Sequence, residues 1–287
     1  MAHSGDAPEG LADALARARA ALAGTSDTAA LDAEVLLTHL IGRDRAFLRA
    51  WPEQPLNPEQ SDAYQKLVSL RREGWPIAYL TGEREFWSRS FKVAPGVLIP
   101  RPATELLIEI ALDLLPVRER VDVLDLGTGS GIIAITLAVE RPNASVTAID
   151  SSRKALQIAE SNAFRLGIKN LRLTEGNWCA PLSRDERFHL IVSNPPYIAE
   201  GDPHLAQGDL RYEPAAALAS GPEGFDALRA IVSAARLHLE PGGVLLLEHG
   251  YDQTDVLATL LSTQGYRHIT HHRDLQGHRR ATMARYA

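Results

Sequence analysis

The sequence predicts an α/β protein whose main domain is a doubly wound, largely parallel sheet preceded by a small helical module. From residue 121 onward, short apolar runs alternate with helical stretches, which is the pattern of a sheet covered by helices on both faces. Two of these runs end in turn-forming motifs, one rich in glycine and one containing two prolines. Ligands of such sheets bind at the carboxyl ends of the strands, so we expect both motifs at the binding edge.

The first part of the chain, about residues 11–73, is predicted to be helical. Residues 11–19 are rich in alanine with apolar positions at helical spacing, and residues 29–41 give a second helix. The segment 57–60 (Asn-Pro-Glu-Gln) supplies an N-cap, a proline at the first helical position and a capping-box glutamine, and Gly74 marks the end of this helix. The helix faces are alanine and leucine, so we predict a packed bundle that supports or recognises a partner.

A β-hairpin is predicted to join this module to the sheet. Residues 85–93 alternate in aromatic and polar character, residues 94–96 (Ala-Pro-Gly) are the predicted turn, and residues 97–99 are the predicted returning strand. Pro102 then opens a helix that runs to Leu115. The predicted domains are a helical domain at 1–78, a hairpin linker at 79–100 and an α/β domain at 101–287.

The sheet itself is predicted from five apolar runs and the helices between them. The strands are residues 121–126, 145–149, 171–174, 189–193 and 244–248. The helices include residues 132–139, 153–166 and 223–239.

The glycine-rich motif at residues 127–131 (Gly-Thr-Gly-Ser-Gly) lies between a strand and a helix. Glycines allow a tight turn and a close approach of a ligand to the backbone, and the helix N-terminus favours an anion. The next strand ends in Asp150, whose carboxylate can accept both hydroxyls of a ribose, so the two motifs predict a nucleoside-bearing cofactor. Gly129, Gly131 and Ala134 also satisfy the dinucleotide fingerprint, which leaves a nicotinamide dehydrogenase as a rival. Asp125 at the strand end favours a cationic amino-acid group over a pyrophosphate, as in S-adenosylmethionine.

The second motif is Asn194-Pro195-Pro196-Tyr197, directly after the strand 189–193. Proline restricts its own backbone and that of the residue before it, and it has no N–H, so the nearby carbonyl oxygens are available as acceptors. Together with the Asn194 side-chain oxygen they can hold both hydrogens of a planar NH2 group, while the tyrosine ring offers a stacking face. The motif therefore predicts a binding site for a conjugated amine, although the same residues also occur as ordinary turn formers.

Composition limits the other possibilities. At 287 residues with 45% hydrophobic residues, the chain is long enough for two domains with a substantial core. The single cysteine, Cys179, excludes an intramolecular disulfide and a cysteine metal cluster, and we expect it to be buried. His271 and His272 are predicted to lie at the surface, and no metal is expected.

Charge and the N-terminal sequence give expectations about partners and location. The net charge is −6 and basic residues do not cluster beyond pairs, which disfavours tracking of a nucleic-acid backbone. The N-terminus has neither a cationic start nor a sustained apolar segment, so neither secretion nor membrane insertion is indicated. We expect a cytoplasmic monomer that binds neither membranes nor, stably, nucleic acids.

Over nearly its whole length the chain resembles the HemK/PrmC family, the N5-glutamine methyltransferases of peptide chain release factors. The matching motifs are residues 76–87 (PIAYLTGEREFW), 97–105 (VLIPRPATE), 125–131 (DLGTGSG), 194–197 (NPPY), 212–214 (YEP), 221–226 (GPEGFD) and 274–278 (DLQGH). The resemblance implies a seven-stranded class I methyltransferase fold, Rossmann-like. It also implies methyl transfer from S-adenosylmethionine to the glutamine of the Gly-Gly-Gln motif in class I release factors, which modulates translation termination.

The resemblance also implies roles for individual residues. The cofactor's methionyl part is expected at Gly127, Thr128, Gly129, Ser130 and Gly131, its ribose at Asp150, its adenine at Asn177 and Trp178, and Asn194 is expected to contact it as well. The target glutamine is expected at Asn194, Pro195, Pro196 and Tyr197, of which Asn194, Pro195 and Tyr197 act in catalysis. Two positions depart from the family pattern: Ala103 replaces a glutamate, and Asn177 stands where aspartate is frequent.

The motifs leave the substrate open. A flipped adenine or guanine also presents a planar NH2 group, so an N6-adenine or N2-guanine nucleic-acid methyltransferase is the alternative. The acidic balance and the helical module favour a protein substrate. A third possibility, a non-enzymatic helical adaptor, leaves two intact ligand motifs unexplained.

Overall fold

The computed structural model describes residues 9–286, so the first eight residues of the predicted helical domain and Ala287 lie outside the described part. The chain divides into two compact units. Among the described residues, one unit contains 9–82 together with 208–212, and the other contains 83–207 and 213–286.

The first unit is helical, which confirms the prediction for this part of the chain. Its helices are α1 (Leu11–Leu22), α2 (Ala29–Ile41), α3 (Arg45–Ala50), α4 (Pro58–Glu73) and α5 (Ile77–Thr81). The short helices α3 and α5 are additions to the predicted set. The apolar faces of α1, α2 and α4 pack into one core, and the buried Tyr64 hydroxyl donates to the Ala33 carbonyl oxygen over 2.9 Å.

Helix α4 begins and ends as the sequence predicts. The Asn57 side chain accepts a hydrogen bond from the Gln60 N–H, and the Gln60 side chain accepts one from the Asn57 N–H. Pro58 occupies the first turn, and Gly74 ends the helix with a left-handed backbone at φ 100°. These local signals are strong because each satisfies a backbone group that the helix itself leaves unpaired.

The second unit contains a seven-stranded sheet and a separate hairpin. The sheet strands are β3 (Asp122–Leu126), β4 (Ser145–Asp150), β5 (Leu171–Glu175), β6 (Phe188–Ser193), β7 (Leu239–Glu248), β8 (Tyr266–Arg273) and β9 (Arg279–Tyr286), in the spatial order β5-β4-β3-β6-β7-β9-β8. The first five strands along the sheet are parallel, and β9 and β8 are antiparallel. The strand order reverses between β3 and β6, which is the position where doubly wound sheets bind ligands.

Helices cover both faces of this sheet. They are α6 (Glu105–Leu114), α7 (Ile132–Glu140), α8 (Arg153–Arg165), α9 (Asp226–Ala235) and α10 (Thr254–Thr263). Side chains alternate along a strand, so in β3 Val123 belongs to the core under α6 and α7, whereas Leu124 and Leu126 belong to the core under α9 and α10. The fold is therefore the predicted doubly wound α/β class.

The predicted hairpin exists, but its predicted turn is wrong. The strands are β1 (Glu83–Phe86) and β2 (Arg89–Lys92), and the turn consists of Trp87 and Ser88, both with a left-handed backbone. Residues 94–96 do not form the hairpin turn, and residues 97–99 are not a strand. A two-residue turn of this kind normally contains Asn-Gly or Asp-Gly, so Trp-Ser gave no recognisable signal. The Trp87 N–H donates to Glu105 Oε1 over 2.9 Å, which fixes the turn.

The C-terminal part also differs from the prediction. The predicted helix 223–239 ends at Ala235, and β7 begins already at Leu239. Strands β8 and β9 and helix α10 were missed, because the two strands are rich in charged residues and lack a clear apolar alternation. His271 and His272 lie half-buried on β8, not on an open surface, and the His271 ring bonds the Thr282 hydroxyl at 2.9 Å.

Two searches of residues 9–286 bear on function. Within this range, no group of histidine, cysteine and carboxylate side chains has the geometry of a metal site. None of the helices described there is long and apolar enough to cross a membrane.

Candidate functional site

The glycine-rich turn connects β3 to α7 at the carboxyl edge of the sheet. Gly127, Gly129 and Gly131 all have positive φ, at 73°, 57° and 86°, a backbone region that other residues rarely adopt. A Cβ on Gly131 would also lie only 2.7 Å from Ile135 Cδ1, so this glycine permits close packing. The sequence therefore forms a tight loop in front of the helix N-terminus.

Asp125 supports this loop from below. Its side chain is completely buried, and its Oδ2 accepts hydrogen bonds from the Thr128 hydroxyl at 2.7 Å and from the Ala134 N–H at 3.2 Å. Burial raises the pKa of this carboxyl to about 7. Asp125 thus holds the loop to helix α7. The sequence suggested that Asp125 contacts the cationic group of a ligand, but its side chain is buried beneath the loop and does not reach the surface.

Asp150, the last residue of β4, lies on the other side of the turn. Its Oδ2 accepts a hydrogen bond from the Gly129 N–H, and its Oδ1 accepts one from the Ser152 N–H, both at 2.8 Å. These two bonds fix the carboxylate between the glycine turn and the start of α8. Each oxygen keeps further acceptor capacity for a ligand hydroxyl.

Asn177 and Trp178 follow β5 at the same edge. Trp178 has a left-handed backbone at φ 48°, and its Cζ3 atom lies 3.5 Å from the place where a Cβ on Gly127 would stand. Its neighbour Cys179 is buried, as predicted, and burial raises the pKa of the thiol to about 12.

A single cavity joins these elements. Its empty space, which includes a part open to solvent, amounts to about 860 Å³. Its lining includes seven of the residues predicted for the site: Gly127, Gly129, Asp150, Asn177, Trp178, Asn194 and Pro196. The other predicted residues, Thr128, Ser130, Gly131, Pro195 and Tyr197, are not part of this wall.

Two stretches of the wall were not predicted as site residues. Gly96, Val97 and Leu98 border the cavity on one side, and Pro214, Ala216 and Ala217 border it on another. Both stretches overlap or adjoin motifs that carry the family resemblance, residues 97–105 and 212–214. These motifs were the only signal by which the sequence could have pointed to them. Glu213 connects them, since its buried carboxylate accepts the Ile99 N–H at 2.9 Å and pairs with Arg101.

Asn194 begins the double-proline motif directly after β6. Its Nδ2 donates to the Thr104 hydroxyl oxygen over 3.0 Å. The amide nitrogen is therefore committed to the protein, and the amide oxygen, Oδ1, is the end that remains for a ligand. The adjacent Ser193 hydroxyl donates to the Leu126 carbonyl oxygen at 2.6 Å, which ties the end of β6 to the end of β3.

Tyr197, at the end of the motif, is anchored at both its backbone and its ring. Its hydroxyl donates to Glu248 Oε1 over 3.1 Å, and its carbonyl oxygen accepts from Gln253 Nε2 over 3.0 Å. Burial raises the pKa of this hydroxyl above its ordinary value, so it remains protonated. Thr104, Glu248 and Gln253 are polar partners of the motif that the sequence reading missed. Thr104 lies 90 residues before Asn194, and Glu248 and Gln253 lie 51 and 56 residues after Tyr197.

Two known protein families match this chain, one in each unit. Residues 13–82 match the PrmC N-terminal domain, and residues 101–221 match the methyltransferase small domain.

Comparison with individual proteins covers nearly the whole chain. A release factor glutamine methyltransferase of Coxiella burnetii is 48% identical over 264 residues, which cover 92% of this chain and 94% of the relative. The protein of the same name from Vibrio cholerae is 46% identical over 91% of both chains.

Solved structures with the same fold are more distant in sequence. A methyltransferase of Pyrococcus furiosus superposes with a TM-score of 0.53 at 19% identity, covering 77% of this chain and 96% of its own. A 16S ribosomal RNA methyltransferase of T. thermophilus, solved with AdoMet and guanosine, gives 0.52 at 22% identity, covering 71% and 50%. These similarities concern the fold.

Proposed function

We propose that this chain, which belongs to the family of release factor glutamine methyltransferases, transfers a methyl group from S-adenosylmethionine to the side-chain amide nitrogen of a glutamine in a peptide chain release factor. The observation that supports this proposal most directly is the single cavity bordered by the glycine turn, Asp150 and Asn194. A cofactor site and an acceptor for an NH2 group thus share one space.

The residues of the cavity suit S-adenosylmethionine. Asp150 offers carboxylate oxygens to the ribose hydroxyls, and Asn177 and Trp178 offer an amide and a flat ring to the adenine. Gly127 and Gly129 leave the backbone uncovered beside the methionyl part. When bound, S-adenosylmethionine supplies an electrophilic methyl group on a positively charged sulfur.

Asn177 replaces the aspartate that is frequent in the family. Its amide oxygen can still accept a hydrogen bond from the adenine amino group, but the negative charge is absent. Ala103, the second departure, lies one residue before Thr104 in the turn that opens α6. The two residues that follow Ala103 still make their hydrogen bonds: Thr104 accepts from Asn194, and Glu105 accepts from the Trp87 N–H. The alanine at position 103 therefore leaves both contacts in place.

The task of the chain is to orient a weak nucleophile. An amide nitrogen is unreactive because its lone pair is delocalised into the carbonyl group. Asn194 Oδ1 and the Pro195 carbonyl oxygen would accept the two N–H groups of the glutamine, so that the nitrogen lone pair faces the methyl group and the positive charge that develops on nitrogen is stabilised. Such orientation can lower a barrier by about 7–11 kcal/mol in favourable cases. The proton can leave after transfer, so no side chain is assigned as a general base.

The proposed partner is a class I release factor that presents the glutamine in its Gly-Gly-Gln loop. Relatives that match more than 90% of this chain are named release factor glutamine methyltransferases, which supports a release factor as the partner. The net charge of −6 is a second support, because it disfavours the phosphate contacts on which nucleic-acid binding depends.

The test offers methyl-labelled S-adenosylmethionine to the chain with three substrates in parallel: an intact release factor, adenine-containing DNA and ribosomal RNA. We expect label on the release factor alone, and on its Gly-Gly-Gln glutamine when the product is mapped by mass spectrometry. A release factor whose glutamine is changed to asparagine is the matched negative control. Label on either nucleic acid without label on the release factor would overturn the proposal.

A further inference from the structure

Gln253 lies at the start of α10, in the position of the N-cap. This position favours Ser, Thr, Asp or Asn, whose short side chains bind the first N–H groups of the helix. Among the described residues, the Gln253 side chain binds no N–H group of α10. It is half-buried and makes its hydrogen bonds with the backbone of three loops.

The Gln253 side-chain amide uses both of its ends. Its Nε2 donates to the Tyr197 carbonyl oxygen and to the Gly224 carbonyl oxygen, each over 3.0 Å. Its Oε1 accepts from the Gly250 N–H over 2.9 Å. An amide NH2 group has two hydrogens, so both are committed. The reversed amide would place an oxygen against two carbonyl oxygens, and therefore only one orientation satisfies all three backbone groups.

These bonds join three loops at the carboxyl edge of the sheet. Tyr197 belongs to the loop after β6, and Gly250 belongs to the loop after β7. Gly224 belongs to the motif 221–226, which precedes α9. A Cβ on Gly224 would lie only 2.4 Å from the Tyr197 carbonyl oxygen, and its φ is 70°, so a glycine is needed at this contact. The end of the double-proline motif is thus held against two other loops.

Fixing both ends of the motif has a consequence for its carbonyl groups. A proline ring fixes φ but leaves ψ free, so the direction of the Pro195 carbonyl oxygen depends on how the ends of the motif are held. At the first end, Asn194 Nδ2 donates to the Thr104 hydroxyl oxygen over 3.0 Å. At the other end, Gln253 binds the Tyr197 carbonyl oxygen. With both ends held, rotation about ψ of Pro195 is restricted.

We propose that Gln253 is a positioning residue for methyl transfer, because its bonds to the Tyr197 and Gly224 carbonyl oxygens fix the direction of the Pro195 carbonyl oxygen. This inference rests on the proposed function, in which that oxygen accepts one hydrogen of the target NH2 group. The cavity wall formed by the described residues includes neither Gln253 nor Tyr197, so the effect on the target is indirect. A displacement of about 1 Å at a reacting centre can lower a rate by about 100-fold.

Tyr197 keeps a second anchor when Gln253 is changed. Its hydroxyl donates to Glu248 Oε1 over 3.1 Å, so the ring is held by the end of β7 while the backbone is held by Gln253. A change at position 253 therefore releases the backbone of the motif and leaves the ring contact in place.

The experiment compares Gln253→Met and Gln253→Glu with the wild type. Methionine has a similar length but no hydrogen to donate, and glutamate keeps an oxygen for the Gly250 N–H but turns a second oxygen toward two carbonyl oxygens. We expect kcat to fall by about 10-fold in Gln253→Met and by about 100-fold in Gln253→Glu. The Kd for S-adenosylmethionine should stay within about twofold in both. A side chain that only fills space would leave the nearly isosteric glutamate variant active, and that result would contradict the positioning role.

Gln157→Glu is the matched control. Gln157 is an exposed residue of α8, and the change adds the same charge to the chain. Its kcat should equal that of the wild type. An equal loss of kcat in this control and in Gln253→Glu would assign the effect to net charge and refute the inference.

A readout without substrate separates this inference from the proposed function. The dipeptide Tyr-Ile occurs once in the sequence, at residues 197–198, and Gly-Phe occurs once, at 224–225. Labelling the first residue of a pair with carbon-13 at the carbonyl and the second with nitrogen-15 therefore gives one NMR signal for each carbonyl that Gln253 binds. We expect both carbonyl signals to move upfield in Gln253→Met, because each loses a hydrogen bond, and to stay in place in Gln157→Glu.

The two measurements give distinct outcomes. Carbonyl signals that stay in place in Gln253→Met would show that the bonds do not exist in solution and would overturn the inference, even if kcat fell. Shifted signals with an unchanged kcat would overturn the positioning role. Failure of the wild type to methylate a release factor would instead overturn the proposed function, while shifted carbonyl signals would still support the hydrogen bonds of Gln253.

Discussion

At the residue scale, Asn194 and Asp150 each combine a structural bond with a ligand-facing atom. Asn194 gives its nitrogen to Thr104 and keeps its oxygen, and Asp150 accepts two backbone N–H groups with spare acceptor capacity on each oxygen. The sequence predicted both residues, since each follows a recognisable strand. It could not predict Thr104 or Glu248, because both are distant in the chain. The pairing of β6 with β7 brings Glu248 to the motif, and the turn before α6 brings Thr104 to Asn194.

Replacement of Asn194 by alanine tests the acceptor role. Asn194→Ala removes the oxygen that would hold the target NH2 group, and we expect methyl transfer to fall by at least about 100-fold, the cost of losing one preorganised polar contact at a reacting centre. Cofactor binding, measured by calorimetry, should remain detectable. Asn143→Ala, an exposed asparagine, is the control. Unchanged turnover in Asn194→Ala would rule out the proposed grip on the amide.

Replacement of Asp150 tests the ribose contact. Asp150→Ala removes the acceptor for ribose hydroxyls and also leaves the Gly129 and Ser152 N–H groups without their partner. We expect the Kd for S-adenosylmethionine to rise by about 10- to 100-fold, because bonds to a charged group are worth about 1.5–3 kcal/mol. Asp150→Asn keeps one acceptor oxygen, so its Kd for S-adenosylmethionine should lie between those of the wild type and Asp150→Ala. Calorimetry that showed equal binding in all three proteins would contradict the assignment.

At the element scale, the glycine turn is held by a buried acid that titrates abnormally. The pKa of Asp125 is raised to about 7 from an ordinary value of 3.8. Between these values the folded chain binds the proton more tightly than the unfolded chain does, so this group lowers stability as the pH rises through that window.

The variant Asp125→Asn lacks this titration. We therefore expect its melting temperature, relative to that of the wild type, to increase from pH 5 to about pH 7 and to level off toward pH 8, as measured by circular dichroism. A constant difference between the two proteins over that range would show that Asp125 does not titrate there.

The start of α4 allows a second prediction at this scale. Asn57→Ala removes the side chain that accepts the Gln60 N–H, and we expect a loss of about 0.5–2 kcal/mol in unfolding free energy, the usual cost of an N-cap. Asn57→Ser retains an acceptor and should be nearly neutral. Chemical denaturation measures both, and equal stability of the alanine variant and the wild type would contradict the capping role.

Elements were predictable where local signals were complete. The capping box of α4 and the five parallel strands follow from patterns within a few residues. The Trp87-Ser88 turn was not predictable, because a two-residue hairpin turn requires a left-handed backbone that Trp and Ser rarely adopt, and its contact with Glu105 lies 18 residues away. Strands β8 and β9 were missed because they are held by strand pairing at one side of the sheet, β9 with β7 and β8 with β9, more than by a regular apolar pattern.

At the scale of the whole molecule, the alternation of strands and helices was enough to predict the class of fold and the edge at which the ligands bind. The placement of the site at the reversal between β3 and β6 then follows from topology. The wall formed by Gly96–Leu98 and Pro214–Ala217 is different, because it depends on how Glu213 joins two distant loops.

Cofactor binding should stabilise the whole chain by mass action. At a free concentration of S-adenosylmethionine 100 times its Kd, we expect an increase of about 2.7 kcal/mol in the free energy of unfolding, because the unfolded chain has no site. Denaturant titrations with and without the cofactor measure this increase. S-adenosylhomocysteine, which lacks the methyl group, tests whether the gain depends on the sulfonium charge. No stabilisation at any concentration would contradict the proposed cofactor.

The position of Cys179 allows the opening of the cavity wall to be measured by the rate of a chemical reaction. This residue carries the only sulfhydryl of the chain, and it follows directly on Trp178 in the segment after β5. A thiol reagent can alkylate it only when that segment detaches, since the native group is both hidden and protonated. The rate at which Cys179 is alkylated therefore measures how often this part of the cavity wall opens. A nucleoside bound in the cavity should lower that rate.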